Sequence, residues 1–137
     1  MSAHGIAASA KDLIGTPFRL HGHDPATGLD CVGLVGAALA GAGHSVALPA
    51  GYRLRNRDIG PLLRFATYAD LRATFLPLQA GDIVLFALPG AQHHLAIADE
   101  DAQIIHAHAG LRRVVRSPID PEWRTIQCWR HRTSCKD

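Results

Sequence analysis

The first part of the chain carries apolar residues that recur three and four positions apart. Residues 4–14 have this spacing and are followed by Gly15, which predicts a short amphipathic helix. A second stripe predicts a helix that begins at Cys31 and ends near Gly41 and Gly43. Its apolar members are Cys31, Leu34, Val35, Ala38, Leu39 and Ala42.

The middle and the end of the chain show different patterns. Residues 58–75 predict one or two helical pieces, with Leu71 and Phe75 among the inward side chains. After Pro77, short apolar or alternating runs predict strands, separated by the turn-forming segments PG, DED, AG and SPIDP. These runs are residues 82–88, 93–99, 102–108, 111–117 and 125–131. Helices followed by strands predict an α+β fold in which N-terminal helices pack on a five-stranded, largely antiparallel sheet.

Length and composition are those of one globular domain. The chain has 137 residues, so we expect a single domain over residues 1–137. Its hydrophobic fraction of 47% and charged fraction of 19% do not indicate disorder. The formal net charge is +2, and arginines cluster late in the chain without interleaved aromatic residues. We interpret them as a solvated face and expect no nucleic-acid partner.

Targeting segments and cysteine spacing bear on where the protein is expected to be found and on what its cysteines are expected to do. The first 15 residues lack the basic and apolar regions of a cleaved secretory signal, and no apolar run is long enough to span a bilayer. We therefore expect synthesis in the cytoplasm and no membrane partner. The three cysteines, Cys31, Cys128 and Cys135, form no CxxC pair, which argues against a disulfide framework or a structural zinc knuckle.

Cys31 lies where a helix is expected to begin. The preceding segment, FRLHGHDPATG over residues 18–28, has the residues of turns, so Cys31 falls in the first helical turn. The N-terminal end of a helix stabilises a thiolate, so we expect the pKa of this thiol to be lowered. The same backbone N–H groups can hold an oxyanion.

Histidines supply the remaining groups of a thiol enzyme. Of nine histidines, four lie on two neighbouring predicted strands: His93, His94, His106 and His108. A tight turn between these strands would bring His94 and His106 together across the hairpin. A helix-terminal cysteine, a histidine base and a third polar residue that orients the base are the requirements for thiol acyl transfer.

The residues alone leave other interpretations open. Free cysteines are often buried as small apolar groups, so Cys31 fits a structural role equally well. A zinc site built from Cys31, His94, His106 and His108 is a further alternative. A register shift of two residues would place His108 where His106 is expected.

Three segments in this order resemble the NlpC/P60 cysteine peptidases. They are GTPFRLHGHDPATGLDCVGLV at 15–35, LQAGDIVLF at 78–86 and HLAIADEDAQIIHA at 94–107. The resemblance implies a papain-like fold, with Cys31 as nucleophile, His94 as general base and acid, and His106 as the residue that orients His94. It also implies a cysteine peptidase that hydrolyses peptide bonds in peptidoglycan stem peptides. Neither a cofactor nor a metal is expected.

Departures from the family pattern concern substrate recognition. Leu20, His21 and Gly22 stand where many members have an aromatic residue and two glycines, and Val32 stands where many have serine. Asp30 keeps the family's acidic residue and is expected to help bind substrate. A loop histidine, His21 or His23, is expected to add a replacement polar contact, and His23 is the one assigned to substrate binding.

The remaining expectations concern how the protein reaches the cell wall and whether it is an active peptidase. A compact member without a signal resembles the versions found in phage-tail and gene-transfer-agent particles, which predicts a particle-associated protein acting at the cell wall. The alternatives are a weakly active or non-catalytic binding module on the same fold and a related thiol amidase or acyltransferase. Alkylation of Cys31 separates a nucleophile from a structural thiol.

Overall fold

The computed structural model describes residues 3–44, 48 and 60–134. The helices are α1 (Ala3–Lys11), α2 (Cys31–Gly41) and α3 (Gly60–Tyr68), and a short 3₁₀ turn covers Arg132–Ser134. Two short strands, β1 (His23–Asp24) and β2 (Gly28–Leu29), pair with each other before α2. The later strands are β3 (Leu71–Thr74), β4 (Ile83–Leu88), β5 (Gln92–Ala98), β6 (Gln103–His108), β7 (Arg113–Pro118) and β8 (Arg124–His131).

Within the described residues, strands β3 to β8 form one antiparallel sheet in the order β3-β8-β4-β5-β6-β7. The α+β class and the helices packed on an antiparallel sheet are therefore confirmed. The predicted number of five strands is wrong, because β3 adds a sixth strand at the edge beside β8.

The extra strand lies inside the segment 58–75, which was predicted to be helical. The helix ends at Tyr68, and Asp70 adopts a positive φ of 57° that turns the chain into β3. Phe75, predicted to point inward, is 85% exposed. Because the turn contains neither Gly nor Pro and the strand has four residues, the sequence carries no strong signal of the break.

Helix α2 forms the centre of the main core. Most of its side chains are buried, as expected for a helix that is apolar on all sides rather than along one stripe. It packs against α1 and against strands β5 and β6. Leu95, Ile97 and Ile105 face this core, whereas Ala96 and Ala98 belong to a smaller cluster on the other face of the sheet.

Strands β5 and β6 separate at one end. Residue pairs join them at Ile97 with Ile105 and at Ala98 with Ile104, and the ladder stops there. The Ala98 N–H donates to the Asp82 carbonyl on the β4 side, so by alternation the Leu95 N–H points toward β6. Beyond the ladder this N–H is available to a group outside the sheet.

None of the helices in residues 3–44 and 60–134 combines the length and apolar character that crossing a bilayer requires.

Candidate active site

Asp30 fixes the start of α2. Its Oδ1 accepts the Gly33 N–H at 2.8 Å, which is the usual cap of a helix N-terminus. Its Oδ2 accepts the His21 N–H, also at 2.8 Å. Asp30 is fully buried, so one carboxylate ties the preceding loop to the helix and sets the position of Cys31.

Two glycines allow this loop to approach α2 closely. The Gly22 carbonyl lies against Gly33, where an added Cβ would overlap it, and a Cβ at Gly22 would overlap the Gly28 carbonyl. The Asp30 N–H donates to the Gly22 carbonyl at 3.1 Å. Close backbone packing therefore explains Gly22 and Gly33 in the GHDPATGLDCVG segment.

Cys31 occupies the first position of α2 and is 1% exposed. Burial raises the pKa of its thiol to about 12, although hydrogen bonds from backbone N–H groups, first that of Leu95 and then that of Val32, oppose this. The neighbouring Asp30 charge raises the pKa further. The expected lowering of this pKa is therefore wrong in direction, because desolvation outweighs the helix N-terminus.

The contact with Leu95 places the sulfur beside strand β5. Leu95 follows His94 directly, and its N–H lies at the end where β5 separates from β6. The N-terminus of α2 is thus adjacent to the strand that carries the predicted base.

His94 and His106 meet across β5 and β6. His94 Nε2 lies 3.0 Å from His106 Nδ1, which leaves His94 Nδ1 outside this bond. His108 lies further along β6, and its ring centroid is 5.6 Å from that of His106. Between the two candidates for the third residue, His106 is the one that bonds to His94.

Both rings are held in the neutral form. Burial, followed by the charges of His106 and His108, lowers the pKa of His94 to about 3. Burial, followed by the charge of His108, lowers the pKa of His106 to about 4. At neutral pH the pair therefore holds one ring proton on each histidine.

Trp123 forms an apolar wall beside this pair. Its ring stands edge-on to His94 and His106, with centroid distances of 5.3 and 5.4 Å, and it also contacts Phe86. The indole thereby excludes water from one side of the two imidazoles, in keeping with their lowered pKa values. The other tryptophan, Trp129, is packed in the main core.

Ser117 continues the hydrogen-bonded chain on β7. Its Oγ lies 2.9 Å from His106 Nε2 and donates to the Pro118 carbonyl at 3.1 Å. No pattern in the sequence marks Ser117 or Trp123 as part of a site. Strand alternation gives the face of Ser117 relative to Val115, but nothing in the sequence gives the cross-strand register or the position of the turn that carries Trp123.

A cavity of about 190 Å³ opens beside the histidines. Among the residues that line it are Phe18, Leu88, His93, His94, His108 and Trp123. Cys31 does not line this cavity, and neither do the predicted substrate-binding residues Asp30 and His23. His23 is exposed on β1, whereas Asp30 is buried at the helix cap, so a substrate contact by either remains a prediction.

The zinc alternative finds no support in the part of the chain that the structure describes. No group of three or more His, Cys, Asp or Glu side chains in it is arranged to hold a metal ion.

The α+β sheet, with a cysteine at a helix N-terminus beside a strand that carries paired histidines, defines a papain-like fold. The NlpC/P60 family model matches residues 15–132, and the chain belongs to this family.

Solved structures with a similar fold are found among peptidoglycan hydrolases and other proteins of this family. The NlpC/p60 domain of the peptidoglycan hydrolase SagA is 26% identical with a TM-score of 0.65, and the match covers 93% of this chain and 97% of that domain. A family protein from Bacillus cereus is 23% identical with a TM-score of 0.65, covering 96% of this chain and 40% of that one. The peptidoglycan hydrolase RipB from Mycobacterium tuberculosis is 20% identical with a TM-score of 0.61, covering 94% and 63%. Curated protein sequences give no significant match.

Proposed function

We propose that the protein is a cysteine peptidase that hydrolyses peptide bonds in peptidoglycan stem peptides. Cys31 is the nucleophile, His94 the general base and acid, and His106 the residue that orients His94. The observation that carries this proposal is the 3.0 Å bond from His94 Nε2 to His106 Nδ1. The Cys31 sulfur contacts the backbone N–H of Leu95, the residue that follows His94. Support for the substrate comes from the family and from the SagA domain, which belongs to a peptidoglycan hydrolase.

The first half of the reaction forms an acyl-enzyme. The Cys31 sulfur attacks the peptide carbonyl carbon while His94 accepts the thiol proton. Backbone N–H groups of the first turn of α2 stabilise the developing oxyanion. The tetrahedral intermediate then collapses, the C–N bond breaks, and His94 returns the proton to the departing amine.

The second half regenerates the thiol. A water molecule gives a proton to His94 and attacks the thioester carbonyl. The C–S bond breaks, the carboxylic acid leaves, and the proton returns from His94 to the Cys31 sulfur.

The electrostatics of the site favour a neutral resting pair. With the thiol pKa at about 12 and the His94 pKa at about 3, the pair is thiol and imidazole rather than thiolate and imidazolium. Proton transfer therefore accompanies attack on the carbonyl. Because Cys31 is 1% exposed, the reaction requires a movement that uncovers the sulfur to the substrate.

The test is digestion of purified peptidoglycan, with released peptides identified by mass spectrometry. We expect the parent protein to release stem-peptide fragments and Cys31→Ala to release none. Cys128→Ala is the matched control, since Cys128 is also a buried free cysteine but lies on β8, a strand that pairs with β3 and β4 rather than with β5 or β6. Equal release by the parent protein and Cys31→Ala would refute the proposal.

Burial of the thiol favours one second candidate, a non-catalytic wall-binding module on the same fold. This candidate predicts that the parent protein and Cys31→Ala bind peptidoglycan equally and that neither releases fragments. A thiol amidase or acyltransferase activity, and delivery by a phage tail or gene-transfer-agent particle, stay predictions.

A further inference from the structure

Ser117 forms a hydrogen bond with His106 through the ring nitrogen that does not contact His94. It lies on β7 and His106 on β6, and their register makes them diagonal neighbours on one face of the sheet. The Ser117 Oγ is 2.9 Å from His106 Nε2 and 3.1 Å from the Pro118 carbonyl oxygen. His94, His106, Ser117 and Pro118 therefore form one chain of hydrogen bonds.

The Pro118 carbonyl at the end of this series of hydrogen bonds determines which atom is the donor in each of them. The Pro118 carbonyl has no hydrogen and only accepts, and the Ser117 hydroxyl has a single hydrogen to give. At 3.1 Å two oxygens without a hydrogen between them would repel each other, so the Ser117 hydrogen points to Pro118. The 2.9 Å contact must then use a hydrogen on His106 Nε2.

Counting the ring hydrogens in the same way fixes the hydrogen on His94. A neutral imidazole carries one ring hydrogen, so His106 with its hydrogen on Nε2 has a bare Nδ1. The 3.0 Å contact with His94 must therefore use a hydrogen on His94 Nε2. His94 Nδ1 is left with a free lone pair.

We propose that Ser117 is a positioning residue that, through His106, holds His94 in the tautomer whose Nδ1 lone pair can accept a proton. The use of that lone pair against the Cys31 thiol rests on the proposed function, whereas the proton order itself does not. The lowered pKa values of both histidines agree with neutral rings at physiological pH. Without the Ser117 hydroxyl, nothing fixes which nitrogen of each ring carries the hydrogen. In part of the molecules the hydrogen is then on His94 Nδ1.

The direct test is the tautomer of each ring, measured by long-range ¹H–¹⁵N correlation NMR on the full chain labelled at histidine. In the parent protein we expect both His94 and His106 to carry the hydrogen on Nε2. We expect Ser117→Ala to shift both rings toward the Nδ1–H form and Ser117→Thr to retain the parent pattern. Thr67→Ala, which removes a hydroxyl from the exposed surface of α3, is the control.

A hydrogen on His94 Nδ1 in the parent protein would overturn the inference, as would unchanged tautomers in Ser117→Ala. The parent spectrum provides this test even if the alanine variant does not fold. Activity gives a second readout. We expect Ser117→Ala to lower kcat about tenfold with little change in KM, because a wrong tautomer removes the base but not the binding surface, and Ser117→Thr to restore it.

The two readouts separate this inference from the proposed function. Parent tautomers as expected and altered by Ser117→Ala, in a protein that releases no peptidoglycan fragments, support the Ser117 inference and refute the peptidase. Fragment release by the parent protein, together with histidine tautomers that are the same in Ser117→Ala, supports the peptidase and overturns the Ser117 inference.

Discussion

The Cys31 sulfur accepts hydrogen bonds from backbone N–H groups on two elements, the first turn of α2 and strand β5. Each of these donors stabilises a thiolate, but the sulfur is almost completely removed from water. Removal from water disfavours the charged form more than the donors favour it. A residue at a helix N-terminus is therefore not activated by its position alone.

At the residue scale we predict slow alkylation of Cys31. In a background with Cys128→Ala and Cys135→Ala, the rate with iodoacetamide at pH 7.5 is expected to lie well below that of a free cysteine, because the thiol pKa of about 12 leaves little thiolate. The rate is expected to rise continuously up to pH 10. A rate that reaches a plateau below pH 8.5 would show a readily formed thiolate and contradict a thiol pKa raised by burial.

The sequence predicted that His94 and His106 meet but not their electrostatic state. Strand alternation and the hairpin between residues 98 and 103 brought His94 and His106 together, and the register bonds His106 rather than His108 to His94. The lowered pKa values depend on burial and on Trp123, a residue of the β7–β8 connection. Such contacts arise from tertiary packing, which residue spacing does not report.

At the scale of elements, the N-terminus of α2 depends on one buried carboxylate. Asp30 accepts two backbone N–H groups, one from the helix and one from the preceding loop. These bonds, with the close contact of Gly22 and Gly33, hold the loop, the helix and Cys31 in a fixed relation.

We predict that Asp30→Ala lowers the free energy of unfolding by about 2 kcal/mol, because it removes a helix cap and leaves two N–H groups unsatisfied. Urea denaturation followed by circular dichroism measures the change. Asp24→Ala is the control, since the Asp24 side chain accepts an N–H from Ala26 at the surface. A loss for Asp30→Ala no greater than that for Asp24→Ala would contradict the role of Asp30.

Long elements with clear periodicity were predictable, and the short edge strand was not. The spacing of apolar residues identified α2 and the five later strands, β4 to β8, to within a few residues. Strand β3 has four residues and follows α3 directly after a turn at Asp70, so its apolar Leu71 continued the helical pattern of the preceding residues. Pairing with β8, whose partner residues lie between 54 and 60 positions later in the chain, decides its conformation.

At the scale of the whole molecule, the neutral histidines couple stability to pH. The unfolded chain binds protons at an ordinary histidine pKa near 6.5, whereas His94 and His106 in the folded protein do so only at about 3 and about 4. Their contribution is therefore fully present above pH 6.5 and is lost as the pH falls toward these folded values.

We predict that the free energy of unfolding decreases between pH 7 and pH 5, with each of these two histidines contributing at most about 1.4 kcal/mol per pH unit below 6.5. Urea titrations at several pH values measure the slope. The double variant His94→Gln and His106→Gln is expected to show a shallower slope than the parent protein. An identical slope in both would show that these histidines titrate normally in the folded state.

The proposed mechanism requires that Cys31 forms a covalent acyl-enzyme with a peptidoglycan stem peptide. The most direct measurement is rapid acid quenching of the protein during digestion, followed by peptide mapping for a thioester. We predict an acyl adduct on the peptide that contains Cys31, present in the parent protein and Cys128→Ala and absent in His94→Ala. Fragment release without an adduct at Cys31, or neither release nor adduct, would contradict the account.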